Sequence, residues 1–181
     1  MLPERITTLP IVLRAFALAD AARVEELCGD PAVALTTTTI PHPYPPGAAA
    51  SWIASHAYQR DAGAWTYAIT HVGGKLLVGA IALRSDVDGD GVLGYWIGRQ
   101  YWGRGYATLA VRALIAMTFL GLDADTISAT HLARNPASGR VLEKCGLTLV
   151  LREQKAHRGG PEEEICLWSI TRDRWSTLRA A

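Results

Sequence analysis

The stretch from Leu93 to Thr108 has the residue types and spacing of a site for an anionic ligand. It opens with a short β-favouring, aromatic run, continues as a basic loop containing Gly103 and Gly105, and passes directly into a long helical pattern. Glycine has no Cβ, so a ligand can approach the loop backbone closely, and free N–H groups can point at one anion beside the positive end of the helix dipole. Arg99 and Arg104 add full charges. This order of strand, glycine loop and helix predicts a site for a ligand with several phosphates.

The elements around this stretch indicate an α/β domain. Alternating or β-rich runs predict seven strands, at residues 9–16, 65–71, 76–83, 92–97, 126–132, 147–151 and 164–170. Helical patterns predict four helices, at residues 21–28, 48–60, 107–118 and 136–145. The last of these has unusually clear ends, with Asn135 as N-cap, Pro136 at the first helical position and Gly146 just past the end. Because a helix separates strands 92–97 and 126–132, we expect these two strands to lie parallel.

Two other segments are predicted to be irregular. Residues 36–46 contain four prolines, which block a helix, so we expect an arm without regular structure. Residues 85–91 resemble half of a calcium loop but have no closing Glu at the required spacing, so a plain hairpin loop is favoured.

Composition limits the classes of function. The chain has 181 residues, which is the size of one domain, and its formal net charge is only +1, so a nucleic acid is not an expected partner. No apolar run approaches the roughly 20 residues of a membrane span, and no secretory signal is visible. We therefore expect a cytoplasmic protein without a membrane partner. The three cysteines are widely spaced among apolar residues, which favours structural thiols over a disulfide or a metal site.

The order of elements and two motifs resemble the GCN5-related N-acetyltransferase (GNAT) superfamily. The motifs are the Gln100-x-x-Gly103-x-Gly105 loop after a strand and the segment from Asn135 to Gly146. Within the superfamily, the chain looks most like the RimJ/RimL-type branch, whose founding members acetylate the N-termini of ribosomal proteins. The resemblance implies a single domain over residues 1–181, with a mixed sheet of about seven strands. That sheet is mostly antiparallel with a splayed parallel pair and is flanked by about four helices.

The resemblance implies acetyl-CoA as the donor, with no metal. The diphosphate would lie on the glycine loop, and the pantetheine arm beside the central strand. The implied coenzyme-binding residues are Trp96, Ile97, Gln100, Trp102, Gly103, Arg104, Gly105, Tyr106, Ala107, Thr108, Asn135, Arg140 and Lys144. The residues themselves leave alternatives open, because Asn135 also fits a plain helix cap, and Arg140 and Lys144 also fit a solvated helix face.

The catalytic groups are harder to assign. By the same resemblance Ser138 lies near the sulfur and is a candidate general acid, although it also fits an ordinary first-turn residue. Many relatives carry a Glu where this chain has Val92, and a hydrocarbon cannot take a proton from an ammonium. The base is then a water chain or another residue. His131 and His157 are the base candidates, and chemistry alone also allows His42, Asp88 and Asp90.

The predicted acceptor is a primary amine that attacks the thioester directly, without a covalent enzyme intermediate. It is either a protein N-terminus or a small-molecule amine, and Tyr44 and Trp52 are expected in its pocket. The protein is expected to be a monomer or a homodimer. Two other functions remain open. A noncatalytic acyl-CoA-binding or sensing module would explain Val92, and a nicotinamide-dependent enzyme would use a similar loop but needs a third glycine where Thr108 stands.

Overall fold

The computed structural model describes residues 2–73, 75–156 and 161–180, and in these ranges it contains one mixed sheet of eight strands. Their order across the sheet is β1-β2-β3-β4-β5-β6-β8-β7, and only the β5–β6 pair is parallel. The strands are β1 (Arg5–Thr8), β2 (Ile11–Arg14), β3 (Ala64–His71), β4 (Leu77–Ser85), β5 (Gly91–Ile97), β6 (Thr126–Leu132), β7 (Thr148–Ala156) and β8 (Glu162–Thr171).

Six α-helices flank the sheet in the described ranges. They are α1 (Ala21–Cys28), α2 (Pro31–Leu35), α3 (Ala48–Asp61), α4 (Tyr106–Gly121), α5 (Pro136–Lys144) and α6 (Arg172–Ala180). Two short 3-10 turns, Leu18–Asp20 and Arg99–Tyr101, precede α1 and α4. The mixed α/β fold with one parallel pair is confirmed, while the count of strands is one higher than predicted and that of helices two higher.

Two of the three extra elements, β1 and α2, arise at short segments near turns, and the third, α6, directly follows β8 in a segment for which no element was predicted. The predicted strand over 9–16 is wrong at its start, because Leu9 and Pro10 form the turn between β1 and β2, in which Thr8 pairs with Ile11. Helix α2 was missed because Asp30 and Pro31 were interpreted only as the end of α1. The Asp30 side chain accepts a hydrogen bond from the Ala32 N–H at 2.8 Å, which makes it the N-cap of a new helix.

The parallel pair separates after a short contact. Strand β5 pairs with β6 only from Gly91 to Leu93, whereas β6 continues to pair with β8 as far as Leu132. The edge of β5 that faces β6 is therefore unpaired beyond Leu93. Such an edge presents backbone N–H and C=O groups that need another partner.

Each face of the sheet is covered by different helices. Helix α4 buries Leu114 and Ile115 completely against one face, where Ile81 and Ile127 are also buried. Helices α1 and α3 cover the other face through a second buried cluster. Full burial of a Leu or Ile side chain contributes about 1.5–3 kcal/mol, so α4 anchors the loop that precedes it. Among the described helices, none has the length and hydrophobicity that a transmembrane helix requires.

Candidate active site

A cleft of about 930 Å³ opens where β5 and β6 separate. It is bordered by the glycine loop, the first turns of α5, the residues of β4 and β5 that face α1 and α3, and the arm after α2. All but one of the predicted coenzyme-binding residues line it. The exception is Gln100, which is exposed and whose Nε2 donates to the Tyr101 hydroxyl at 3.2 Å.

The glycine loop has the backbone of an anion cradle. Gly103 and Gly105 have φ values of +75° and +77°, which side chains with a Cβ rarely adopt, and open space lies around both Cα atoms. Gly105 is also the N-cap of α4. In the described chain no hydrogen bond uses the N–H groups from Gly103 to Thr108, because the first turn of a helix has no partners for them. These donors and the helix dipole can bind a diphosphate.

Cationic side chains surround Tyr101 at the base of this loop. The Arg104 guanidinium lies 5.8 Å from the centre of the Tyr101 ring, and Arg23 lies 5.9 Å from it while donating to its hydroxyl at 2.6 Å. Arg23 comes from α1, so no sequence motif near the loop could identify it. Trp102 donates its indole N–H to the Ile97 carbonyl at 2.6 Å and so ties the loop to the end of β5.

Asn135 holds the start of α5. Its Oδ1 accepts from the Ser138 N–H at 3.3 Å, so it caps the helix, and its Nδ2 donates to the Thr36 carbonyl at 3.0 Å. The second bond joins α5 to the residue that ends α2, 99 positions away in the chain. Asn135 therefore acts as the N-cap of α5 in the structure, and a contact of Asn135 with the coenzyme stays a prediction.

Ser138 has a partner that the sequence did not indicate. Its Oγ lies 2.8 Å from the hydroxyl of Tyr95, a residue of the central strand β5. Burial raises the pKa of Tyr95 above its ordinary value of 10, so the phenol keeps its proton at neutral pH. The pair forms a connected hydroxyl network inside the cleft, and this network can pass a proton toward a leaving group.

The candidate bases fall in different places. His131 is buried beside the cleft, where its Nδ1 lies 2.8 Å from the Leu132 carbonyl and its Nε2 has no partner among the described residues. His157 lies outside the described residues. His42, Asp88 and Asp90 do not line the cleft. Asp90 has a structural role, because its Oδ1 accepts from the N–H groups of Asp125 and Thr126 at 3.1 and 2.8 Å.

A family model described as acetyltransferase (GNAT) domain matches residues 11–148 of the chain. This span covers the cleft, the glycine loop and α5. The chain belongs to the GNAT acetyltransferase family. The predicted resemblance is thereby confirmed, and membership argues against the nicotinamide-dependent alternative.

Individual relatives agree with this family. The Bacillus subtilis protein named "Putative ribosomal N-acetyltransferase YdaF" is 30% identical over 105 residues, which are 55% of this chain and 56% of YdaF. An FsC-acetyl coenzyme A-N(2)-transacetylase of Aspergillus fumigatus is 31% identical over 89 residues, 48% of this chain and 38% of that enzyme. The matches thus span about half or less of these curated relatives. The match to YdaF agrees with the predicted RimJ/RimL-type branch.

Solved structures share the fold of this GNAT domain. A GNAT-family acetyltransferase from Bacillus anthracis superposes with a TM-score of 0.83 at 19% identity, covering 93% of this chain and 99% of that one. The microcin C7 self-immunity acetyltransferase MccE, in complex with acetyl-CoA and AMP, superposes with a TM-score of 0.79 at 19% identity, covering 91% and 93%. At such identities the likeness shows the fold alone.

The GNAT cleft continues past the loop toward α3 and the arm. Tyr44 and Trp52 line this part, and their role in an acceptor pocket stays a prediction. Burial raises the pKa of Tyr44 to about 12. Trp52 packs edge-on against Phe16 and His56, with ring centres 5.1 and 4.5 Å away. Burial, and secondarily the charge of Arg60, lowers the pKa of His56, so this cluster is neutral at pH 7.

Proposed function

We propose that this protein transfers the acetyl group of acetyl-CoA to a primary amine, on either a protein N-terminus or a small molecule. The observation that carries the proposal is the set of free N–H groups from Gly103 to Thr108, at the mouth of a cleft in a GNAT-family chain. Those donors fit a diphosphate, and the unpaired edge of β5 beyond Leu93 fits an extended arm with amide groups.

Each part of the cleft then has a task. The glycine loop would hold the diphosphate, with Arg104, Arg140 and Lys144 as nearby cations that line the same cleft. Acetyl-CoA supplies a reactive thioester. A backbone N–H of the unpaired β5 edge would bind the thioester oxygen and stabilise the charge that develops on it. As the amine nitrogen bonds to the acyl carbon and the carbon–sulfur bond breaks, Ser138 would donate a proton to the sulfur, with Tyr95 as its hydrogen-bond partner.

The amine must lose a proton before or during attack. His131 is the residue candidate for this task because it lines the cleft and its Nε2 has no partner in the described ranges. Nε2 is buried against Gly139, so the proton would reach it through an intervening water or after a shift of the side chain. A water chain is the alternative, in which case the amine attacks after its proton has gone to solvent. Replacing His131 by Asn distinguishes them: a base role predicts a loss of roughly 100-fold or more in kcat/KM at neutral pH, whereas a water chain predicts little change.

The noncatalytic acyl-CoA-binding alternative has one observation in its favour. In the described residues no Asp or Glu lines the cleft, so the usual carboxylate base is missing. The two functions differ in one measurement. Acetyl-CoA binding by calorimetry together with release of free CoA thiol on an amine panel supports transfer, whereas binding without thiol release on any amine would support the alternative.

We also propose a cytoplasmic location and a monomeric or homodimeric state. All three cysteines are buried free thiols, which suits a reducing compartment. Burial raises the pKa of Cys28 to about 12 and that of Cys145 to about 11, so neither thiol is an effective nucleophile at neutral pH.

A further inference from the structure

The acceptor half of the cleft has a floor built from three neighbouring strands. Residues directly opposite one another in antiparallel strands share a face, and alternate residues along a strand return to that face. The registers of β3, β4 and β5 therefore stack three rows on the side of α1 and α3. The rows are Ala68, Ala80 and Trp96; then Thr66, Ala82 and Gly94; then Ala64, Arg84 and Val92.

The middle row makes the floor deep. Its side chains are small, and a Cβ built on Gly94 meets no atom within 4 Å. Trp52, Trp96 and Tyr44 also line the cleft around it. We call this region, from the middle row to the aromatic side chains, the acceptor trough. Its shape and its apolar boundary suit a flat or branched hydrocarbon group attached to the reactive amine.

The charges in the cleft all have one sign. Four cationic side chains line it, and no carboxylate of the described residues does. Arg104, Arg140 and Lys144 belong to the loop and α5, on the coenzyme side. Among these four cations Arg84 is the one on the acceptor side, in the row next to the middle row and about 7 Å along the strand from Ala82. Its guanidinium has neither an ion pair nor a hydrogen bond to any residue that the structure describes.

This charge pattern disfavours polycationic acceptors. A polyamine would place additional ammonium groups in a cleft with four cations and no described carboxylate, which repels them. The same positive field lowers the pKa of a bound amine, and therefore favours amines that are weak bases already. At pH 7 the neutral fraction of an α-amine, with an ordinary pKa near 7.8, is about 350-fold larger than that of a lysine amine near 10.4.

We propose that Arg84 is a specificity-determining residue, and that it selects acceptors carrying a carboxylate close to an α-amine on an apolar or aromatic residue. This inference rests on the proposed acetyl transfer. The guanidinium would bind the carboxylate, the acceptor trough would hold the side chain, and the amine would lie between them and the unpaired edge of β5. Arg84 is exposed, so solvent screens the interaction, and we expect a preference of about tenfold in kcat/KM.

Two matched acceptor pairs test this. Phenylalanyl-aspartate amide against phenylalanyl-asparagine amide changes only a side-chain carboxylate, and phenylalanyl-glycine against its amide changes only a terminal one. Putrescine serves as the polycationic probe. Thiol release is measured for the wild-type chain, Arg84→Gln, Arg84→Lys and the control Arg152→Gln, whose arginine lies on exposed β7 and pairs with Glu164.

In at least one of the two pairs, we expect the acceptor with the carboxylate to have a kcat/KM about tenfold higher than its amide counterpart. Putrescine should have the lowest kcat/KM of the acceptors. Arg84→Gln should reduce that preference to near one, Arg84→Lys should retain several-fold, and Arg152→Gln should retain all of it. An acid preference of one or less, or a preference unchanged in Arg84→Gln, overturns the inference but leaves acetyl transfer standing as long as the neutral amides are acetylated. Acetyl-CoA binding without thiol release on any acceptor would overturn both.

Discussion

Replacing Gly105 by Ala tests the anion cradle most directly. The φ of +77° at this position costs a residue with a Cβ about 1–2 kcal/mol, so the free energy of unfolding should fall by that amount and Tm by roughly 2–8 °C. No atom lies within 4 Å of the new Cβ, so no further steric penalty arises in the free protein. The methyl group would instead occupy the space through which a phosphate reaches the N–H groups. Losing one charge-assisted hydrogen bond weakens CoA binding by about 10-fold to 100-fold.

Gly89 provides the matched control. It also has a positive φ, +85°, with no atom within 4 Å, but it lies in the β4–β5 loop and does not line the cleft. Gly89→Ala should therefore lose a similar amount of stability and bind CoA like the wild type. Differential scanning calorimetry measures the change in Tm and in the free energy of unfolding, and titration calorimetry measures the affinity for CoA. Equal affinity for CoA in the two variants would refute the assignment of the loop as the phosphate site.

Three further predictions concern the Ser138–Tyr95 pair, the bridge from Asn135 to Thr36 and the half-buried His56. Ser138→Ala should lower kcat about tenfold without changing the KM for acetyl-CoA, and Tyr95→Phe should lower kcat by a smaller factor. Steady-state thiol release measures both constants, and an unchanged kcat in both variants would remove the hydroxyl pair from the mechanism. Asn135→Asp keeps the acceptor that caps α5 but cannot donate to the Thr36 carbonyl, so its Tm should lie between those of the wild type and Asn135→Ala. A Tm equal to that of the wild type would contradict a stabilising bridge to Thr36. Because the pKa of His56 is lowered in the folded state, its contribution to the free energy of unfolding should be fully present above about pH 6.5 and decrease below it. Thermal melts from pH 7.5 to 5 should show a smaller decrease in Tm for His56→Phe than for the wild type. Parallel plots of Tm against pH for the two proteins would contradict this.

Local signals predicted the glycine loop and the capped helix that follows later in the chain. The alternation of β5, the two glycines and the helical spacing of α4 are all contained in about 30 consecutive residues, so they could be interpreted without any distant contact. The N-cap, proline and glycine around α5 are equally local, and the structure has that helix within one residue of its predicted end. Gly103 and Gly105 have positive φ values, which explains in structural terms why glycine stands at both positions of the loop.

Long-range pairing explains what the sequence did not reveal. Tyr95 meets Ser138 across 43 residues, and Asn135 meets Thr36 across 99, and no spacing rule connects such positions. The β1–β2 hairpin was also missed, because each strand has only four residues and the turn contains a proline. A four-residue strand is too short to show a period that distinguishes it from a loop.

The chain itself determined most of the order of elements, the position of the glycine loop and the family, because these depend on dihedral preferences and spacing within single segments. The tertiary structure alone decided how β5 and β6 part, which side chains share the cleft, and that the described cleft wall contains cations but no carboxylate. Registers between strands set these features. A register is chosen by the packing of the whole sheet against its helices, and it is therefore not encoded in any one segment.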